Sequence, residues 1–419
     1  MTEPFALTPQ TEAGERFVTA VRSVLPAIAD AAEEADREGR FVASSIDQLV
    51  RSGAFGAPVP ARLGGMGLAS FHDLAVGVFE LGKACGSTAI ASYMHLSATA
   101  MLGRSFEALE PRAEAADIEH LRELLQGVAE GREVIAVAIS EPGTNATVLP
   151  LVEARRDGDH YVVNGTKIFG TLAQRASMLN TLVRVREEGD AKAPGRAAFA
   201  LIGSDWEGVE VVDDWDAMGM RGSGSGPIHF RDVRVPARFV AGGQPLGQHD
   251  VAALYNALTA NTGLIAAALG IAQAARDRVA ASAGARKKAH DGLSEAERPA
   301  AQIAMGELDT LLFAARAMMA RSALDVDAFY GSFTPRQATL EQVLRMTAAV
   351  RATKVFVERA AVRVVDAALQ LSGGGGFMGQ SPLSRHYRDV RAIPFMLPQA
   401  SLSLPLIGCV GFGIEPPLG

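Results

Sequence analysis

Four short stretches of this 419-residue chain combine hydroxyl and glycine residues at spacings that suit ligand chemistry, and three of the four also contain an aromatic residue. A flat, electron-poor ring binds well against an aromatic face that is flanked by fixed hydrogen-bond donors. A pyrophosphate favours a guanidinium group and a closely approaching backbone, which a glycine run permits. The four stretches are residues 139–145 (ISEPGTN), 161–171 (YVVNGTKIFGT), 215–225 (WDAMGMRGSGS) and 370–377 (QLSGGGGF).

The patterning around these stretches divides the chain into three regions. Apolar residues recur at helical spacing in residues 1–130, and again from residue 246 to residue 419. Residues 131–245 instead show short β-rich runs, with Asp157-Gly158 and Asn164-Gly165 each predicted to form a hairpin turn. Strands at this spacing indicate an antiparallel barrel or sandwich, whereas the long segments 252–283, 299–330 and 340–371 indicate a helical bundle.

Composition excludes several classes of function. The net charge of −7 argues against nucleic acid or an anionic membrane as a partner. The longest apolar run, residues 264–275, is shorter than the roughly 20 residues that span a bilayer. Cys85 and Cys409 cannot form a disulfide framework, and no secretory signal is visible at the N-terminus, so we expect a cytoplasmic protein.

The four stretches, together with residues 230–236 and 385–389 (RHYRD), resemble the acyl-CoA dehydrogenase family and occur in the family's order. The resemblance covers nearly the whole chain. It implies an α+β, mostly α, fold with an N-terminal helical domain (1–130), a central antiparallel β domain (131–245) and a C-terminal four-helix bundle (246–419). It also implies a homotetramer, or a dimer of that kind, with flavin, FAD or FMN, bound between the β domain and the bundles.

The resemblance carries cofactor roles onto individual residues. Ser140 and Thr171 would contact the flavin ring, the latter through its hydroxyl and amide at N5 and O4, and Phe169 would lie against that ring. Arg286 would bind the cofactor phosphates. Gln370, Gly373 and Gly374 would form the adenine and pyrophosphate segment for a neighbouring subunit.

The sequence departs from the family at the catalytic base. Dehydrogenases of this kind need a carboxylate to remove the α-proton of a thioester. The position of the usual glutamate, counted from Arg388-Asp389, holds Leu397, and the alternative position on an earlier helix holds Ala260, followed by Asn261. Leucine and alanine cannot accept a proton, so the dehydrogenase mechanism is missing unless an unaligned residue supplies the base.

The same resemblance includes a flavin monooxygenase branch that needs no such base. In that branch reduced flavin, supplied by a separate reductase, reacts with O₂ to give a C4a-hydroperoxide that must be shielded from water. The apolar run 394–398, with Phe395 and Leu397, suits that requirement. We predict a flavin-dependent monooxygenase of a small molecule, with N-hydroxylation in an antibiotic or amino-sugar pathway favoured. The alternatives are an acyl-CoA or acyl-carrier-protein dehydrogenase with a non-standard base, and a binding protein without turnover.

Two histidines complete the candidate residues. His95 lies on a predicted helix that faces the substrate region of this fold, so it joins Leu397 and Phe395 as a candidate catalytic residue, although a satisfied core histidine is the alternative. His386 fits a structural role. Neither has the spaced companions of a metal site, so no metal is predicted.

Overall fold

The computed structural model describes residues 5–187, 195–243, 245–285 and 287–418. Its N-terminal region is helical, as the apolar periodicity predicted, and Phe17, Val21 and Ile28 are all fully buried on one face of the first helix. The hydroxyl of Thr11 caps that helix by accepting the amide hydrogen of Gly14 at 3.0 Å. The helices are α1 (Glu12–Glu38), α2 (Ala43–Arg51), α3 (Phe71–Ala84), α4 (Gly86–Leu109) and α5 (Ala115–Ala129), with a 3-10 turn at Ala61–Leu63.

The central region is one eight-stranded sheet in the order β6-β7-β3-β2-β4-β5-β8, with β1 paired to β4 off that path. Two of its pairs, β1 with β4 and β2 with β4, are parallel, so the sheet is not purely antiparallel as the sequence suggested. The strands are β1 (Ile135–Ala138), β2 (Glu153–Asp157), β3 (His160–Lys167), β4 (Met178–Arg186), β5 (Arg196–Gly203), β6 (Val209–Val211), β7 (Ile228–Pro236) and β8 (Val240–Ala241), with a 3-10 turn at Ala237–Phe239.

One of the two predicted hairpin turns is present and the other is not. Asp157 and Gly158 lead from β2 into β3 as predicted. Asn164-Gly165 instead lies inside β3, where the register with β7 shifts between Val163 and Gly165. Gly165 takes φ 137° at this bulge, so the positive-φ preference that suggested a turn serves a bulge, and β3 continues to Lys167.

The C-terminal region is a helical bundle, with α7 packed against α9 and α3, and α8 and α12 packed against α9. Its first predicted helix is broken, because residues 258–261 separate α6 from α7. The stretch Val251–Ala285 meets the length and composition of a membrane span, and 83% of its most apolar window is buried inside the protein. The helices are α6 (Val251–Ala257), α7 (Thr262–Ala285), α8 (Pro299–Ser332), α9 (Leu340–Ser372), α10 (Gly374–Phe377), α11 (Pro382–Val390) and α12 (Ala400–Gly411), with 3-10 turns at Glu295–Glu297 and Ile393–Phe395.

All three regions meet at α11. The Asp389 carboxylate accepts the amide hydrogen of Met220 at 2.6 Å, which joins the bundle to the loop before β7. Arg388 makes a two-pronged bond to Asp36 at the end of α1. Gly219 lies so close that a Cβ atom there would be 2.1 Å from the carbonyl oxygen of Arg388, so no larger residue fits this contact. We call these three contacts of α11, with Met220, Asp36 and Gly219, the three-domain junction.

Candidate functional site

A tight turn after β3 presents the aromatic and hydroxyl residues that the sequence singled out. Phe169 takes φ 56°, and its side chain is 57% exposed, with the Trp215 ring edge-on at 6.1 Å. Thr171 donates its amide to the carbonyl of Phe169 at 2.8 Å, and Gly170 donates to Gly226 at 2.9 Å. The amide of Thr171 is therefore used within the turn, which leaves its hydroxyl for a ligand.

A buried ion pair holds this turn against the segment that contains Ser140. Lys167 and Glu141 have fully buried side chains, and their charged atoms lie 2.5 Å apart. Lys167 also donates to the carbonyl of Ile139 at 3.0 Å, while Ser140 accepts the amide of Ile168 at 2.9 Å. Burial lowers the pKa of Lys167 to about 8, although the hydrogen bond to Glu141 opposes that shift. The pair holds the turn and the segment with Ser140 in one position relative to each other.

Three hydroxyl groups lie beside the turn. The Thr171 hydroxyl lies 2.8 Å from that of Ser225, which in turn lies 2.7 Å from that of Ser223. All three side chains are buried, and the Leu172 amide donates to the carbonyl of Ser223 at 3.3 Å. We call these three groups the hydroxyl cluster. Donors next to an exposed aromatic ring are the set that an isoalloxazine ring requires, so the residues present fit a flavin.

The phosphate end of the predicted site is open in the single chain. Gln370, Gly373 and Gly374 are exposed, and Gln370 donates only to Asp366 of its own helix among the contacts described. Beyond the neighbouring residues of the chain, a Cβ atom at Gly373 or Gly374 would meet no atom within 4 Å. The fourth predicted phosphate contact, Arg286, lies outside the described residues. The described contacts do not bring this segment together with Phe169 and Thr171.

The apolar segment that replaces the dehydrogenase base lies just after α11. Leu397 is half-buried, Phe395 is 69% exposed, and Met396 between them packs against the main core. Leu397 lies eight positions after Asp389, whose bond to Met220 fixes the start of this segment at the three-domain junction. The segment offers no proton acceptor on its side chains.

Every buried carboxylate in the described part of the chain has a structural partner. Glu141 pairs with Lys167 and accepts the amides of Leu151 and Val152. Asp389 instead holds the Met220 turn, and burial raises its pKa to about 6. The other three are bonded to cations or capping groups: Asp73, Glu80 and Glu358. None of them is a free general base.

His95 is a core residue, so its candidacy as a catalytic residue is withdrawn. Its side chain is fully buried and stacks on the Phe55 ring at 4.3 Å. Nδ1 accepts the amide of Ile135 at 3.0 Å, and Nε2 lies 3.1 Å from the carbonyl of Phe55. Burial lowers the pKa of His95 to about 4, which keeps the ring neutral and both nitrogens occupied. His386 is also buried, with its pKa lowered to about 3 by desolvation.

Sequence reasoning missed two serines that support the turn, and it missed Ser92, which is buried on α4. Ser223 and Ser225 stood in a glycine-serine run that we compared only with family motifs, although alternate residues of an extended segment share one face. Ser92 Oγ on α4 and Asn261 Oδ1 before α7 are buried and have no hydrogen-bond partner in the described part of the chain. A polar residue on a predicted buried helix face was the available signal for Ser92.

Three family models match the chain in order. Residues 11–105 match the acyl-CoA dehydrogenase N-terminal domain, residues 136–233 the middle domain and residues 262–395 the C-terminal domain. The chain belongs to the acyl-CoA dehydrogenase family. The mostly helical α+β fold predicted from the sequence is thereby confirmed, and with it the family's flavin chemistry.

The comparisons also separate the branches of the acyl-CoA dehydrogenase family. L-evernosamine nitrososynthase of Micromonospora sp. is 30% identical over 392 residues, which cover 93% of this chain and 88% of that protein. Amino sugar nitrososynthase RubN8 of Streptomyces rubradiris is 32% identical over 395 residues, covering 93% and 87%. The structure of KijD3 in complex with FMN and dTDP-3-amino-2,3,6-trideoxy-4-keto-3-methyl-D-glucose superposes with TM-score 0.87 at 28% identity, covering 99% of this chain and 97% of that one. The predicted oxygenase branch is confirmed over the dehydrogenases.

Proposed function

We propose that this chain is a flavin-dependent monooxygenase that oxidises the amine nitrogen of a nucleotide-linked amino sugar. One oxygen atom of O₂ would enter the product as a hydroxylamine and the other would leave as water, with reduced flavin supplying two electrons and two protons. The observation that carries this proposal is the side-chain chemistry of residues 394–398, where Leu397 stands in place of the dehydrogenase carboxylate.

Unpartnered polar atoms between α4 and α7 support a polar substrate. Ser92 is fully buried and Asn261 is 4% exposed, and the next residue after Ser92, Tyr93, packs directly on Gly263. A buried hydroxyl or carbonyl without a partner costs about 1–3 kcal/mol unless a ligand or water completes it. A sugar with amine and hydroxyl groups would offer hydrogen-bond partners to such atoms, whereas an acyl chain would not.

In the proposed flavin site each of the predicted residues has a separate role. Bound reduced flavin would supply the electrons and the oxygen-activating chemistry. Phe169 would cover one face of the ring, Thr171 would hydrogen-bond its edge, and Ser140 would contact it from the paired segment. Arg286, Gln370, Gly373 and Gly374 would bind the phosphate and adenine end of FAD, or the phosphate of FMN. Phe395 and Leu397 would exclude water.

We further propose a cytoplasmic homotetramer that receives reduced flavin transiently from a separate reductase. Exposed apolar side chains in the C-terminal region support an assembly, because Phe377 is 81% and Phe412 is 84% exposed in the single chain. The exposed Gly373 and Gly374 would then approach flavin bound to a neighbouring copy. Sedimentation of the purified protein tests the tetramer directly.

Anaerobic turnover distinguishes the proposed oxygenase from the dehydrogenase alternative. The protein would be mixed with oxidised flavin, acyl-CoAs of several chain lengths and an artificial electron acceptor, with no reductase present. We expect no reduction of the acceptor, and hydroxylamine formation only when reduced flavin, O₂ and an amino-sugar nucleotide are supplied. Reduction of the acceptor by an acyl-CoA would overturn the oxygenase proposal, whereas failure to bind flavin in either redox state would favour a binding protein.

Leu397→Glu tests whether the apolar segment shields the flavin. A carboxyl group in an apolar pocket has a raised pKa and stays largely protonated near pH 7, so it adds a proton donor beside the oxygen chemistry. We expect a larger fraction of the consumed O₂ to appear as hydrogen peroxide instead of product. The matched control is Leu404→Glu on α12, where the leucine is 46% exposed. Equal peroxide release from Leu397→Glu and the wild type would remove Leu397 from the pocket.

A further inference from the structure

The hydrogen bonds within the hydroxyl cluster run in one direction, from donor to acceptor, and Thr171 is the last acceptor. We infer that Ser225 and Ser223 are positioning residues that turn the hydroxyl hydrogen of Thr171 outward, toward an acceptor on the edge of the flavin ring. The inference rests on the proposed flavin site. It assigns a function to two serines that do not themselves line the exposed aromatic face.

A count of donors fixes the direction. Each hydroxyl carries one hydrogen, and two hydrogen bonds join the three groups, so one hydrogen remains for an acceptor outside the cluster. Within the part of the chain that the structure describes, the Ser223 hydroxyl contacts only that of Ser225. If the chain of bonds ran toward Ser223, a buried donor would be left unsatisfied at that end, which is costly. If Thr171 and Ser223 both donated to Ser225, the hydrogen of Ser225 would be the unsatisfied buried donor, because its hydroxyl contacts only those two groups in the described part of the chain. Ser223 therefore donates to Ser225, and Ser225 donates to Thr171.

Burial agrees with this direction. Ser223 is 1% exposed, Ser225 is 6% exposed and Thr171 is 8% exposed, and Phe169 beside Thr171 is far more open. The hydroxyl hydrogen that is not used within the cluster, that of Thr171, thus lies at the most exposed end of the cluster. Consecutive hydrogen bonds polarise one another, so the outward donor is stronger than an isolated threonine hydroxyl.

The two loops that carry these groups are held in register by their backbones. Gly170 donates its amide to Gly226, and Leu172 donates to Ser223, on either side of the bond between Thr171 and Ser225. Loss of one hydroxyl therefore leaves the loops paired and changes only the orientation of the next hydroxyl. This makes the inference testable without disrupting the turn.

An outward donor favours one redox form of the flavin. The ring edge of oxidised flavin has acceptors at N5 and O4, whereas reduction places a hydrogen on N5. The aimed hydroxyl should stabilise the oxidised form more than the reduced form. For Ser225→Ala we expect about three- to tenfold weaker binding of oxidised flavin, and less than a twofold change for reduced flavin. For a two-electron couple this difference raises the midpoint potential of bound flavin by about 15–30 mV.

The experiment compares binding of both redox forms by the full-length protein, with FMN and FAD as probes. Ser225→Thr keeps the hydroxyl and should restore the wild-type ratio of the two affinities. Ser45→Ala is the matched control, because Ser45 is 1% exposed and lies on α2. If Ser225→Ala lowers the melting temperature more than Ser45→Ala does, Ser223→Ala provides the same test with a smaller shift in the same direction.

The outcomes separate the inference from the proposed function. A wild-type protein that binds flavin, with an unchanged affinity ratio in both serine-to-alanine variants, would overturn the inference alone. A parallel loss of both affinities would also overturn it, since that result indicates damage to the fold rather than lost orientation. A wild-type protein that binds neither redox form would overturn the proposed flavin site itself.

Discussion

The two halves of the proposed flavin site are built in opposite ways. Around Phe169 and Thr171 the chain encloses its own polar groups, with Lys167 and Glu141 fully buried against each other. Around Gly373 and Gly374 the backbone is exposed, and an added Cβ at either position would meet no other part of the chain within 4 Å. In the single chain, one half is enclosed by its own contacts and the other is an exposed surface.

This difference indicates where stability and assembly are encoded. Substitutions in the β-domain half should change the free energy of unfolding of a single chain, because they disturb buried charges and hydrogen bonds. Substitutions in the glycine run should leave that free energy nearly unchanged and act on ligand binding or association. The two halves can therefore be separated by measuring both quantities on each variant.

Lys167→Met should produce the largest effect. It leaves the Glu141 carboxylate buried without its cation, and breaking a buried pair in this way costs about 3–5 kcal/mol. The free energy of unfolding, measured with urea at pH 7, checks this value. The double variant Lys167→Met with Glu141→Gln should be more stable than the single variant, since no buried charge remains.

The exposed pair between Arg321 and Asp325 provides the control for Lys167. Its side chains are 78% and 40% exposed, so Arg321→Met should change the free energy of unfolding by less than about 0.5 kcal/mol. A loss below about 1 kcal/mol for Lys167→Met would show that the ion pair does not hold the β-domain half together.

His95→Gln should remove an acid sensitivity from the same half. The folded-state pKa of about 4 lies below the ordinary 6.5, so the unfolded chain binds the proton more readily. The stability that neutral His95 provides is complete above pH 6.5 and is lost as the pH falls toward 4. Between pH 7 and pH 5 the wild type should lose about 2 kcal/mol that His95→Gln does not lose.

Unfolding by urea at the two pH values measures this difference. Glutamine can still donate to Phe55 and accept from Ile135, so the variant keeps both bonds without titrating. His290, which is 73% exposed in its side chain, is the matched control, and His290→Gln should show the pH dependence of the wild type. The same slope in His95→Gln as in the wild type would contradict a neutral, buried His95.

Gly374→Ala should have the smallest effect on stability and a specific effect on binding. Alanine meets no neighbouring atom at this position and favours the short helix α10, so the free energy of unfolding should change by less than about 0.5 kcal/mol. An added methyl group would block close approach of a phosphate, and flavin affinity should fall about tenfold, or about 1.4 kcal/mol. Gly306→Ala on α8 also adds a methyl group in open space, and it should leave the affinity unchanged. Equal flavin affinity in the two variants would remove the glycine run from the site.

The sequence predicted the parts of the fold that depend on periodicity and family motifs. The helical regions and the β region could be read from residue order, and the motif at 161–171 singled out Phe169 and Thr171, which the structure places on one turn. The bulge at Gly165 could not, because a positive φ serves a turn or a bulge equally well, and only pairing with β7 decides between them.

The supporting residues of the site depend on contacts that are distant in sequence. Lys167 reaches Glu141 across 26 positions, and Thr171 reaches Ser225 across 54. A charged or hydroxyl residue in a predicted strand does not reveal which partner it will meet. His95 was misjudged for the same reason, since its bonds to Phe55 and Ile135 each cross 40 positions.

The three-domain junction limits how this protein can be recombined with its relatives. Gly219 touches the backbone of Arg388, and Asp389 and Asp36 each hold a different region against α11. A chimera that exchanged only the β domain would bring in a foreign loop at residues 219–221 and place it against a helix that did not evolve with it. Successful chimeras should therefore exchange α11 together with that loop. The segments that must be exchanged together then belong to different domains.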